Sequence, residues 1–134
     1  LLEDSINIRN KAFEVITEIF RLYTLQEIKD CISTMKKNIE DSTKDTKEKA
    51  KTLILMMAMI LSQPYEIQEW TEELIVLLMK NKKISKVVSD KFSKEFVPKF
   101  FDKHAGLANI NERSLSSEVY SELKHTYNPV SYCI

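Results

Sequence analysis

The run Leu53-Ile54-Leu55-Met56-Met57-Ala58-Met59-Ile60-Leu61 is nine consecutive apolar residues inside TLILMMAMILSQPY, residues 52–65. A helix built from such a run has no polar face, so it must be buried on every side. It falls far short of the ~20 residues that cross a bilayer, and Lys47, Lys49 and Lys51 crowd its start. The run therefore predicts a central rod around which the other elements collect. Pro64 ends it, because proline supplies no amide donor and disfavours helical geometry at Gln63.

Around that rod the chain of 134 residues reads as all helical. It is 43% hydrophobic, and a single glycine is too few for the tight turns of a sheet. No period-two alternation is sustained, and no Asn-Gly or Asp-Gly pair occurs. Charge balances at 20 basic against 20 acidic residues, so no global field draws the chain to nucleic acid or to anionic lipid. Cys31 and Cys133 have no partner motif and read as reduced intracellular thiols. The opening LLEDSINIRN has no initiator Met and no basic region leading into an apolar run and cleavage site. The chain is therefore expected to be the C-terminal part of a longer intracellular protein.

Upstream of the rod, Ala12, Val15, Ile16, Ile19, Phe20 and Tyr23 recur at three- and four-residue steps and predict a first helix, Leu2 to Tyr23. Thr24 and Glu27 form a capping box that opens a second helix, with Leu25, Ile28, Ile32, Met35 and Ile39 as its stripe. EDSTKDT, residues 40–46, is polar and reads as an exposed loop. Downstream of the rod a fourth helix is expected from Gln68 to Lys80, with Trp70, Leu74, Leu77 and Leu78 inward. Asn81-Lys82-Lys83 then reads as a solvated basic turn rather than a phosphate patch. A fifth helix is expected from Ile84 to Lys103 on Val87, Val88, Phe92, Phe96 and Phe100, kinked or cut short by Pro98. Ala105 to Glu112 reads as a loop holding Gly106. Ser114 or Ser116 caps a last helix carrying Leu115, Val119, Leu123 and Tyr127, which Asn128-Pro129 breaks.

Six helices in three antiparallel pairs, with about forty residues between equivalent points, suit stacked hairpins of the HEAT type. The expected division is a helical-repeat domain over residues 1–127 and an extended tail over 128–134. A helical bundle of another topology is the alternative.

No catalytic constellation is present. His104 and His125 have no metal-ligand spacing, cysteine and histidine never cluster, and no Gly-rich phosphate loop or Gly-x-Ser-x-Gly elbow occurs. The serines fall where capping explains them. No enzyme activity, metal or cofactor is expected. In the segment Pro64-Tyr65-Glu66-Ile67-Gln68-Glu69-Trp70, the tyrosine and tryptophan read as braces of one hairpin, each with a polar tip reaching a partner. The tail Val130-Ser131-Tyr132-Cys133-Ile134 follows a helix-breaking proline and has no evident core role. It reads either as disordered or as a peptide that docks in a partner's groove with its terminal carboxylate captured.

The stretch from Leu53 to His104 resembles the C-terminal domain of the large single-chain HEAT-repeat proteasome activators, proteasome activator subunit 4. The pattern matched is an apolar helix followed by Pro64-Tyr65, a polar spacer and Trp70, then the apolar helix Leu74–Met79, Ile84 opening the next helix, and a Val-rich helix ending in Phe and His104. The family's proline between the Pro-Tyr pair and the tryptophan is replaced here by Gln68 or Glu69, and AGLANIN after His104 lacks the family's next tryptophan. The resemblance implies a non-ATPase cap on the α-ring of the 20S proteasome, in the nucleus or cytoplasm, whose extreme C-terminus enters a pocket between two α-subunits. It implies that Val130, Ser131, Tyr132, Cys133 and Ile134 make that contact. In the family the penultimate residue is Tyr; here it is Cys133, with Tyr132 one place early, so docking is the firmer expectation and gate opening the weaker. Acetylated histones are a further partner of the family, but no acetyl-lysine pocket is identifiable in this segment, and inositol phosphate binding cannot be placed on any residue here. The alternative is a general helical-repeat scaffold for protein–protein interaction.

Overall fold

The nine-residue apolar run forms the C-terminal half of α3 (Thr46–Ser62), where Leu53, Met56, Met57, Ala58 and Met59 are fully buried in a computed structural model of the chain. Residues 6–63, 69–104 and 115–127 are described. Asp45 caps the rod by accepting from the Glu48 backbone N–H at 2.8 Å, which satisfies one orphan donor. At the other end Gln63 turns extended, with ψ 118°, as a residue before proline should.

The rod is preceded by α1 (Ile6–Arg21) and α2 (Leu25–Glu40), and followed by α4 (Thr71–Asn81). A single turn of 3-10 helix, Lys82–Ile84, leads into α5, in which Lys86–Asp90, Lys91–Phe96 and Val97–His104 run on without a break. The last helix is α6 (Ser117–Tyr127). The described residues are thus all-α, six helices with no strand among them. α1, α2, α4 and α5 all pack against α3, while α6 packs on α4 and on the C-terminal part of α5. One core results, running from Phe13 on α1 to Leu123 on α6.

The capping box forms as expected. Glu27 N–H donates to Thr24 Oγ1 at 3.2 Å, and Thr24 N–H donates to Glu27 Oε1 at 2.9 Å. Ser116, rather than Ser114, caps α6 by accepting from Val119 N–H at 3.3 Å. Ile28, Ile32, Met35 and Ile39 are buried on α2, and Leu115, Val119 and Leu123 around α6.

Several expectations need correction. On α1 the buried face is Phe13, Thr17 and Phe20, whereas Val15 and Ile19 stand at the surface, as does Leu25 at the start of α2. α1 carries two apolar stripes, and periodicity alone does not say which one faces α3. The described part of α4 starts at Thr71, with Glu69 and Trp70 forming a turn. α5 starts at Lys86, because Ser85 and not Ile84 is the cap, accepting from Val88 N–H at 3.2 Å.

Pro98 neither ends nor cuts short α5. Directly before it, Lys91–Phe96 widens into a π turn, and the Val97 N–H reaches the Phe92 carbonyl. A wider turn also favours the sequence pattern. Residues four apart overshoot the roughly 3.6 residues of an α-turn, and the π turn takes up the excess. Phe92, Phe96 and Phe100 are therefore stacked in file, with ring centroids 5.6 and 5.9 Å apart, and all three are buried.

The expected loop at residues 105–112 and the tail at 128–134 lie outside the described residues, as do residues 1–5.

Candidate interaction surface

Where α3 gives way to α4, Trp70 comes against the turn between α1 and α2. A groove of about 410 Å³ opens there, lined by Phe20, Arg21, Tyr23, Leu25, Ile28, Ser62, Gln63 and Trp70. Phe20 and Tyr23 meet edge to face, with centroids 5.3 Å apart. The polar end of α3 is satisfied locally: Ser62 Oγ donates to the Met59 carbonyl at 2.6 Å and accepts from Gln63 Nε2 at 3.0 Å. Trp70 differs. Its Nε1 is buried with no acceptor among the described residues, against the expectation that its polar tip reaches a partner. A buried N–H left open in this way costs about 1–3 kcal/mol.

Of the other residues in the matched pattern, Ile84 is half-buried against the core but is not part of the groove. His104 is the last residue of α5. Pro64 and Tyr65 lie outside the described residues, and so do Val130, Ser131, Tyr132, Cys133 and Ile134. The pattern's residues are not gathered into one site among the described residues.

A second feature was not singled out in the sequence. Lys91, on the π turn of α5, is only 8% exposed. Its Nζ lies 3.9 Å from the centroid of the Phe13 ring on α1 and 3.3 Å from Glu95 Oε1. Burial lowers its pKa from the ordinary lysine value, the Glu95 carboxylate opposes that shift, and Lys99 and Arg9 add to it. Two attractive contacts, one to a ring face and one to a carboxylate, offset the loss of water around the ammonium. The i,i+4 spacing of Lys91 and Glu95 is a sequence signal, but it promises only a surface pair. Nothing in it announces burial.

The third feature is the outer flank of α1. Ile8, Val15 and Ile19 are exposed there, Leu22 in the turn just after the helix is 83% exposed, and Leu25 continues the patch onto α2. Lys11 and Glu18 border the same flank in the sequence of α1, and both are exposed. An exposed apolar stripe on one helix with a charged margin is the pattern of an interaction surface.

Cys31 is a half-buried free thiol whose pKa is raised, first by burial and then by Asp30 and Glu27. That environment suits an inert thiol rather than a nucleophile. Among the described residues no group of His, Cys, Asp or Glu is placed to hold a metal ion, and no helix is long and apolar enough to cross a membrane. What the described residues present chemically is an apolar flank on α1 and a mixed apolar and polar groove at Trp70. Comparison with protein-family models, with curated proteins and with solved structures finds no match to the chain.

Proposed function

We propose that the chain is a non-catalytic protein-binding module, the tail-bearing end of a HEAT-type stack that caps the α-ring of the 20S proteasome. The observation that carries the stacked arrangement is how odd and even helices associate. α1 and α5 both lie against α3, while α4 lies against α6. An ion pair joins Lys36 on α2 to Glu73 on α4, while α2 itself packs on α3. An odd row packed in file, with α4 and α6 side by side, is what a stack of helical hairpins would produce.

The identity of the partner rests on the resemblance of Pro64-Tyr65, Trp70, Ile84 and His104 to the activator family. In this reading Val130 and Ile134 supply apolar contact and the terminal carboxylate meets a cation in the pocket between α-subunits. One short tail binds weakly, and contacts from the helical body raise its effective concentration at the pocket. Tyr132, one place from the family's position, anchors without necessarily opening the gate.

The test is co-sedimentation with purified 20S proteasome, of the chain and of the same chain lacking Ser131–Ile134. Co-migration that depends on the tail is the expected result. Equal co-migration of both forms removes the tail from the interface. No co-migration of either leaves the second reading, a general helical-repeat scaffold, which the exposed flank of α1 favours because it offers a binding surface on the helical body itself.

A further inference from the structure

The outer flank of α1 has a regularity that the core face of the same helix lacks. Residues 8, 12, 15, 19 and 22 are Ile, Ala, Val, Ile and Leu, stepping alternately by four and three. That is the seam of a heptad repeat, with Ala12 and Ile19 at one core position and Ile8, Val15 and Leu22 at the other. In this structure the seam faces outward. Val15 is 48% exposed, Ile19 and Ile8 are comparably open, and Ala12 is half-buried. The Phe13, Thr17 and Phe20 face, by contrast, is already committed to the molecule's own core.

The geometry points to a second copy of this chain as the occupant, docked through α1 in antiparallel orientation about a two-fold axis near the middle of the helix. Charge chooses the orientation. In the heptad register Lys11 and Glu18 take the same flanking position, one seven residues after the other. In an antiparallel pair that position faces its own equivalent, so Lys11 of each copy meets Glu18 of the other, twice by symmetry. The apolar layers then match as Ala12 with Val15 and Ile8 with Ile19. In a parallel pair Lys11 would instead face Ile16, and Glu18 would face Tyr23, with no ion pair gained. Among the described residues Glu18 pairs with Arg21 at 2.6 Å, and both side chains are exposed, so a partner's lysine can join that pair. Two helices of this length bury little area, which places the dimer at the weak end of specific interfaces.

Sedimentation equilibrium of the whole chain over a wide concentration range tests this, with far-UV circular dichroism of each variant as the check on folding. Reversible dimerisation is expected. Val15→Asp should abolish it while leaving the helical signal intact, because Val15 sits at the surface of the single chain. Lys11→Glu and Glu18→Lys should each weaken it by about tenfold, and the double swap should restore it. A chain that stays monomeric at every concentration overturns the inference and assigns the seam to another helix, such as a further hairpin stacked on α1. A dimer unaffected by Val15→Asp overturns it by placing the contact elsewhere, and failure of the double swap to restore the dimer overturns the antiparallel arrangement. Self-association is read without proteasome present, so its outcome is separate from that of the co-sedimentation.

Discussion

Glu72, in the first turn of α4, accepts the backbone N–H of Ser116 at 2.9 Å, so the start of one helix satisfies the entry to another 44 residues further along the chain. Ser116 in turn caps α6 through its hydroxyl. Hydrogen bonding from Ser116, through its side chain first and its backbone second, lowers the pKa of Glu72 from the ordinary glutamate value. A carboxylate depressed in the folded state adds stability above its unfolded pKa and loses it as pH falls through the folded value. Glu72→Gln should therefore flatten the loss of stability on acidification, the variant being slightly less stable than the parent at neutral pH and converging with it in acid. Urea midpoints measured from pH 7 down to about pH 3 test this; parallel curves for the two proteins would show that the contact is not formed.

On α1 the two apolar stripes separate cleanly by mutation. Phe20→Ala opens a cavity in the core and should cost about 3–4 kcal/mol. Ile19→Ala, one residue earlier on the exposed flank, should change the stability of the single chain by no more than about 0.5 kcal/mol. Denaturant titration at low protein concentration distinguishes them. Equal costs would mean that the flank is buried in solution.

Lys91 gives a pH effect of the same sign in an alkaline window. Burial lowers its pKa, so between the folded value and the ordinary lysine value the unfolded chain binds more protons than the folded one. Stability should climb with pH through that window, and Lys91→Met should remove the climb. At neutral pH the methionine variant should be neutral or more stable by about 1 kcal/mol. Glu95→Gln, which leaves the ammonium buried beside Phe13 without its counter-charge, should destabilise. Unfolding free energies of the three proteins from neutral to alkaline pH decide the matter.

For Trp70, Phe is the informative replacement. Trp70→Phe gives up some buried area but also removes an N–H that has no acceptor among the described residues. The two effects oppose, and the net change should stay within about 1 kcal/mol, against several for an ordinary core truncation. A large loss in thermal or urea unfolding would show that the indole N–H does find a partner in solution.

The rod was the most legible part of the fold, because nine apolar residues in a row admit only one environment. Thr24 with Glu27, and Ser116, were legible because a cap is a local event between residues three apart. The α1 stripe was not, since two apolar faces on one helix look alike until a neighbour chooses between them. Pro98 misled for a related reason. Its cost is written in the sequence, but the relief, a wide turn from Lys91 to Phe96, depends on aligning three phenylalanines against a core the sequence does not display. Lys91 was invisible because its neighbours along the chain suggest a surface pair, whereas its burial is set by Phe13, nearly eighty positions away. The site expected in the tail lies outside the described residues, and the groove at Trp70 joins residues from three separate stretches of chain.

The position of α3 bears on how the molecule comes apart. Most stacked-hairpin proteins can fray one unit at a time, because each repeat touches only its neighbours. Here the rod that four other helices lean on is apolar around its whole circumference from Leu53 to Leu61. Stripping either side from it exposes methionine and leucine to water, so partial opening gains little chain freedom for a large loss of burial. The backbone amides of Leu53–Leu61 should therefore exchange with deuterium only when the whole chain opens, and at a single common rate, whereas those at the outer end of α1 exchange through local fraying.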